Sequence, residues 1–284
     1  MDHVYSYDSA ALGLAYYGDL TGEILSELGQ QYDYQLDLGD RSSALQSLRS
    51  IDIRKRFGIR NYDCLPGKTA IPEFVANFIA PVCGMLGMTI PLLCLISRDF
   101  AEYLSGKTEY AEQVRERIRT PLCALLDQGD RVMLITHGTG CVVAYDVLWQ
   151  LSHDQPYAEK YKDAKIDTWV TLGAPLGDNS IRKRLLGADR EPVSYPTNVI
   201  TWHNVSAEDD YTCHDNTLAD DFKIMVQQRV VSTVHDHHVY NLAVRYGKSN
   251  PHSSIGYYIH PRVSKIIADW IQDPVLTAEP EYTI

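Results

Sequence analysis

The segment from Arg131 to Leu151, RVMLITHGTGCVVAYDVLWQL, constrains the fold more than any other part of the chain. Arg131 to Thr136 is a short, largely apolar run that suits a strand buried on both faces. His137 to Gly140 contains two glycines and leaves room only for a tight turn. CVVAYDVLWQL then follows at once as an apolar helix. A strand that turns directly into a helix needs a further strand to return beside it, which makes a parallel sheet with crossover helices. The rest of the sequence continues that alternation. IDTWVTL from Ile166 and NVITWHNV from Asn198 read as buried strands, each followed by a turn-rich loop. VYNLAVRY from Val239 reads as the last strand, and ALGLAYYG, near Leu12 to Tyr17, as the first. Val114, Ile118, Leu122 and Leu125 share a helical face, with Thr120 and Pro121 placed as a cap and first-turn pair. A final helix is expected over Val263 to Trp270. These patterns predict an α/β fold, with a mostly parallel sheet and flanking helices in one domain over residues 1–284.

Charge and cysteine usage narrow the function classes. Acidic side chains number 37 against 26 basic ones, giving a formal charge of −11 without a basic block, so nucleic acid is not expected as a partner. Cys64, Cys83, Cys94, Cys123, Cys141 and Cys213 lie at irregular spacings without a CxxC pair, which reads as buried reduced thiols in a cytoplasmic protein. MDHVYSYDSA has neither the basic nor the apolar region of a secretory signal. From Phe74 to Ser97 no side chain is charged, but Asn77, Pro81, Gly84, Gly87 and Pro91 interrupt the stretch. Short packed helices suit it better than one spanning helix, and a lid-like insertion at about 70–98 is the functional reading. Membrane contact is not predicted. His235, Asp236, His237 and His238, like His214 and Asp215, read as solvated loop residues, because adjacent side chains seldom converge on one ion; no metal or cofactor is expected.

The turn Thr136-His137-Gly138-Thr139-Gly140 resembles the nucleophile elbow of α/β-hydrolases, specifically their lipase- and esterase-like members, where it commonly reads T/G-H-S-x-G. The resemblance covers roughly residues 11–272 and extends to TLGAPLGD at Thr171 to Asp178 and to NPHSSIGYYIHPRV. It implies an α/β-hydrolase-type sheet and a triad in the order nucleophile, acid, histidine. Gly138 falls in the serine slot, the acid is expected at Asp210 with Asp209 as the alternative, and the base at His252. His260 is expected to pack or to cap the final helix. Thr139 N–H is the candidate oxyanion donor and His137 a candidate substrate contact. The implied ligand is a small acyl ester or lipid-like molecule.

This chain departs from the family pattern twice. Gly138 carries no hydroxyl, and removing a triad serine typically costs about 10⁶ in turnover. No HG-type loop, the usual second oxyanion donor, precedes AYYGDL, so the scaffold reads as shortened at its N-terminal end. The strand missing from that pattern would lie beside RVMLIT, in the middle of the sheet. Two readings follow: a hydrolase scaffold inactive at its nucleophile, or a non-catalytic relative that binds an acyl or lipid-like ligand or a protein partner.

Overall fold

The structure is a computed structural model and describes residues 12–27, 34–50, 57–66, 98–105, 108–213 and 217–272. Four strands make a parallel sheet: β1 (Met133–His137), β2 (Ile166–Leu172), β3 (Val199–Ala207) and β4 (Thr233–Val239), in the order β1-β2-β3-β4. Met133 pairs with Thr168, Ile166 with Val199, and Thr201 with Thr233. The fold is α/β, and both faces of the sheet carry helices.

The named helices are α1 (Gly18–Glu27), α2 (Tyr34–Ser50), α3 (Glu109–Gln128), α4 (Gly140–His153) and α5 (Pro261–Gln272). On one face Trp169 and Trp202 stack with ring centroids 4.5 Å apart, in a core shared with Val143, Val147 and Leu151 of α4 and Val114 and Ile118 of α3. On the other, Val170, Leu172, Val205 and Val239 pack against Val263 and Ile266 of α5. Every residue of α4 from Cys141 to Ser152 is buried, which accounts for its lack of a polar face.

Hydrogen bonds between side chains run across the tryptophan face of the sheet. Trp202 Nε1 donates to Thr171 Oγ1 at 3.0 Å, Thr171 Oγ1 donates to Asn204 Oδ1 at 3.0 Å, and Asn204 Nδ2 donates to Asp236 Oδ1 at 2.9 Å. Asp236 also accepts the backbone N–H groups of Leu218 and Ala219 at 3.2 and 2.9 Å, fixing a short helix to the sheet edge. Trp169 Nε1 donates to Thr136 Oγ1 at 3.0 Å. Each buried donor in this series is therefore satisfied.

Several expectations need correction. His235 to His238 lie in β4, not in a solvated loop, with Asp236 turned to the opposite face from His235 and His237. The strand expected from Val239 is instead the end of β4, followed by a two-stranded hairpin of β5 (Val244–Arg245) and β6 (Lys248–Ser249). Leu12 to Tyr17 is not a strand: no described strand pairs with it, and Leu12 and Leu14 are 98% and 84% exposed. Thr120 and Pro121 do not start a helix but lie inside α3, whose N-cap is Thr108, with its Oγ1 accepting Ala111 N–H at 3.2 Å. Cys64 is exposed, whereas Cys141 and Cys213 are buried free thiols.

Among the described residues no strand pairs with the outer edge of β1. No described helix is long and apolar enough to cross a membrane. The apolar segment at about 70–98 lies outside the described residues except at its end, where a helix begins at Arg98.

Candidate functional site

Gly138 lies in the turn between β1, which ends at His137, and α4. Its φ of +57° lies in the left-handed region, where a residue with a β-carbon is strained by about 1–3 kcal/mol. Its N–H donates to Leu172 O at 2.9 Å, which ties the turn to β2. A Cβ built on Gly138 would lie 3.0 Å from His252 Nε2 and 3.2 Å from its Cε1. The imidazole is thus aimed at the space a side chain at 138 would fill, 114 residues away in sequence.

The other ring nitrogen faces Asp210. His252 Nδ1 is 3.0 Å from Asp210 Oδ2 and 3.1 Å from Oδ1, with the His252 side chain 36% exposed and that of Asp210 fully buried. Three further donors reach the carboxylate: Tyr257 hydroxyl at 2.7 Å, Thr212 hydroxyl at 2.6 Å and Thr212 N–H at 3.1 Å. Burial alone would raise the Asp210 pKa, but the bonds from His252, Thr212 and Tyr257 outweigh it and hold the carboxyl below its usual range. Asp210 is therefore an ionised acceptor able to fix the tautomer of His252. Thr212 Oγ1 also lies 2.7 Å from His252 Nδ1, at the junction between acid and imidazole.

Asp209 points elsewhere. Its Oδ2 is 2.9 Å from the Tyr62 hydroxyl, and its own φ is +60°. Of the two candidate acids, Asp210 is the one brought to His252. Thr139 starts α4 in helical geometry, and its N–H has no acceptor among the described residues. His137 Nε2 is 2.8 Å from the carbonyl oxygen of His252, and the two rings lie 4.5 Å apart. Its described polar contact is therefore with the His252 backbone. The ring of His260 accepts Arg262 N–H at 3.1 Å, capping the first turn of α5.

Four residues at this site are not singled out by the sequence reading. Thr212 and Tyr257 orient Asp210, and Tyr257 hydroxyl also accepts Ala207 N–H at 2.8 Å. Gly173, the glycine of TLGAPLGD, has a φ of +56°, and a Cβ there would lie 2.7 Å from Asp210 Oδ2 and 3.1 Å from His252 Nδ1. Tyr17 reaches the first turn of α4, its hydroxyl 3.4 Å from where a Cβ on Gly140 would sit. Burial pushes the Tyr17 pKa to about 12, so the phenol keeps its proton. The signal for Gly173 was present in its motif, whereas nothing local marks Thr212, Tyr257 or Tyr17.

Away from this site, His203 Nδ1 lies 2.9 Å from His237 Nε2, and the rings of His203 and His235 stack 5.1 Å apart. Among the described residues no group of three or more His, Cys, Asp and Glu side chains is arranged to hold a metal ion. No protein-family model matches the chain, and neither does any curated protein or solved structure.

Proposed function

We propose that the chain is a lipase- or esterase-like α/β-hydrolase scaffold that holds a small acyl ester or lipid-like ligand over Gly138, with Asp210 and His252 as acid and base. The observation that carries this reading is the aim of His252: Nε2 lies 3.0 Å from the Cβ position of Gly138 while Nδ1 faces Asp210. A serine Oγ in that space is what such an imidazole deprotonates when an acyl carbon is attacked, and Thr139 N–H at the start of α4 is a donor for the oxyanion that forms. In this reading the apolar segment at about 70–98 is the lid. Without a hydroxyl at 138 the scaffold binds its ligand and turns it over little. Gly138 itself favours the second reading, a non-catalytic relative that retains the cleft to bind such a ligand or a protein partner.

Restoring the hydroxyl separates the two. Gly138→Ser is expected to react with a fluorophosphonate and to hydrolyse short p-nitrophenyl esters, while the present chain does neither. A further His252→Ala or Asp210→Asn should abolish or strongly reduce both, and Asp209→Asn should not. A folded Gly138→Ser protein that neither labels nor turns over gives the binding reading the lead.

A further inference from the structure

The base at His252 sits in a short loop, so its aim at Gly138 depends on what holds that loop's backbone. The carbonyl oxygens of Pro251, His252 and Ser253 are each bonded. The buried Asn241 donates through Nδ2 to Pro251 O at 2.8 Å and to Ser253 O at 2.9 Å. His137 takes the carbonyl between them, with Nε2 2.8 Å from His252 O. The two anchors differ in origin. Asn241 lies just beyond β4 and ties the loop to the chain that leads into it, whereas His137 is the last residue of β1 and the neighbour of Gly138.

We propose that His137 is a positioning residue, whose imidazole N–H fixes the backbone of His252 so that the base stays aimed at position 138. Its importance for catalysis rests on the hydrolase reading above. Because the acceptor is a carbonyl, the proton must be on Nε2. Burial, and then the nearby His252, push the His137 pKa down to about 4, so the donor is uncharged at neutral pH. Its ring also lies 4.5 Å from that of His252, tilted at 35°, and the ring of Tyr257, which bonds Asp210, lies 5.8 Å away. One side chain thus holds the backbone of the base while its neighbour presents the nucleophile slot.

The test compares three variants of the full chain. His137→Gln can place an amide N–H close to that of Nε2, His137→Asn cannot reach, and His137→Phe keeps a ring but has no donor. The first readout is the side-chain NMR of His252 in the chain with Gly138 intact, following the Nδ1 proton shared with Asp210 and the titration of the ring. Wild type and His137→Gln should show that proton in slow exchange, and it should broaden or vanish in His137→Asn and His137→Phe. Using both donor-free variants guards against either failing to fold. An unchanged resonance and titration in a folded donor-free variant overturns the proposal. The second readout uses the Gly138→Ser background, where fluorophosphonate labelling should fall about tenfold without the donor and recover with Gln, KM for a p-nitrophenyl ester staying constant. If Gly138→Ser does not label at all, the hydrolase reading falls, and the resonance alone decides whether His137 positions His252.

Discussion

Gly173 shows how a residue with no functional group can decide whether a site exists. Its φ of +56° and the 2.7 Å separation between its Cβ position and Asp210 Oδ2 both exclude a side chain. Gly173→Ala should lower stability by about 2–4 kcal/mol in urea unfolding, combining backbone strain with displacement of a buried carboxylate. Tyr257→Phe is a milder change, since it removes the donor to Asp210 and the acceptor for Ala207 N–H while keeping the ring. It should cost about 1–3 kcal/mol, and in the Gly138→Ser background should weaken labelling more than it weakens folding. Gly138, Asp210 and His252 were legible because each sits in a motif or in the loop that a chain order of nucleophile, acid and histidine requires. Thr212 and Tyr257 were not, because a hydroxyl that orients a carboxylate has no characteristic spacing from it.

At the level of elements, buried apolar runs were readable and polar strands were not. IDTWVTL and NVITWHNV became β2 and β3, but the polarity of TVHDHHV hid β4, whose side chains at Asp236, His237 and His238 meet other polar groups. Asp236 explains why such a strand is stable: it accepts from Asn204 across the strand pair and from two helical N–H groups. Thr171→Val tests the whole series, because it strands Trp202 Nε1 and Asn204 Oδ1 inside the core. A loss of about 1–3 kcal/mol is expected, measured by chemical unfolding. Pro121 misled in the opposite sense, suggesting a helix start where α3 runs through. Replacing it with Ala restores a backbone donor in the helix interior and should raise the unfolding midpoint, by up to about 3 kcal/mol of stability. A fall in the midpoint would mean that the proline ring packs better than the restored bond.

Across the whole molecule the histidines set the response to acid. His137, His203 and His260 each have a pKa pushed down to about 4, by burial first and then by neighbouring His252, by His237 and His235, and by Arg262 respectively. A depressed histidine pKa means that the unfolded chain binds protons before the folded one does. Stability is therefore full above pH 6.5 and declines as pH falls toward 4, by about 1–3 kcal/mol per group, least for the less buried His203 and His260. Asp210 acts in the same direction but lower, its contribution fading as pH falls through its depressed pKa. Thermal unfolding from pH 7.5 to 4 should show the decline beginning near 6.5, and a flat profile down to 4.5 would contradict neutral burial of these rings. The global α/β class was legible from the alternation of strands and helices, and among the described residues no strand pairs with the outer edge of β1.

The strand order carries one further consequence, for the order in which the molecule is made. Each strand pairs with the next in sequence, at separations of 35 residues for Met133 and Thr168, 33 for Ile166 and Val199, and 32 for Thr201 and Thr233. No pairing must wait for a distant segment, so during synthesis the sheet can grow one strand at a time, each closing a loop of similar and modest entropy. Gly138 is laid down at the first strand and His252 only after the last. A nascent chain released between residues 239 and 252 should therefore carry a largely assembled sheet in which the turn at Gly138 waits for its imidazole.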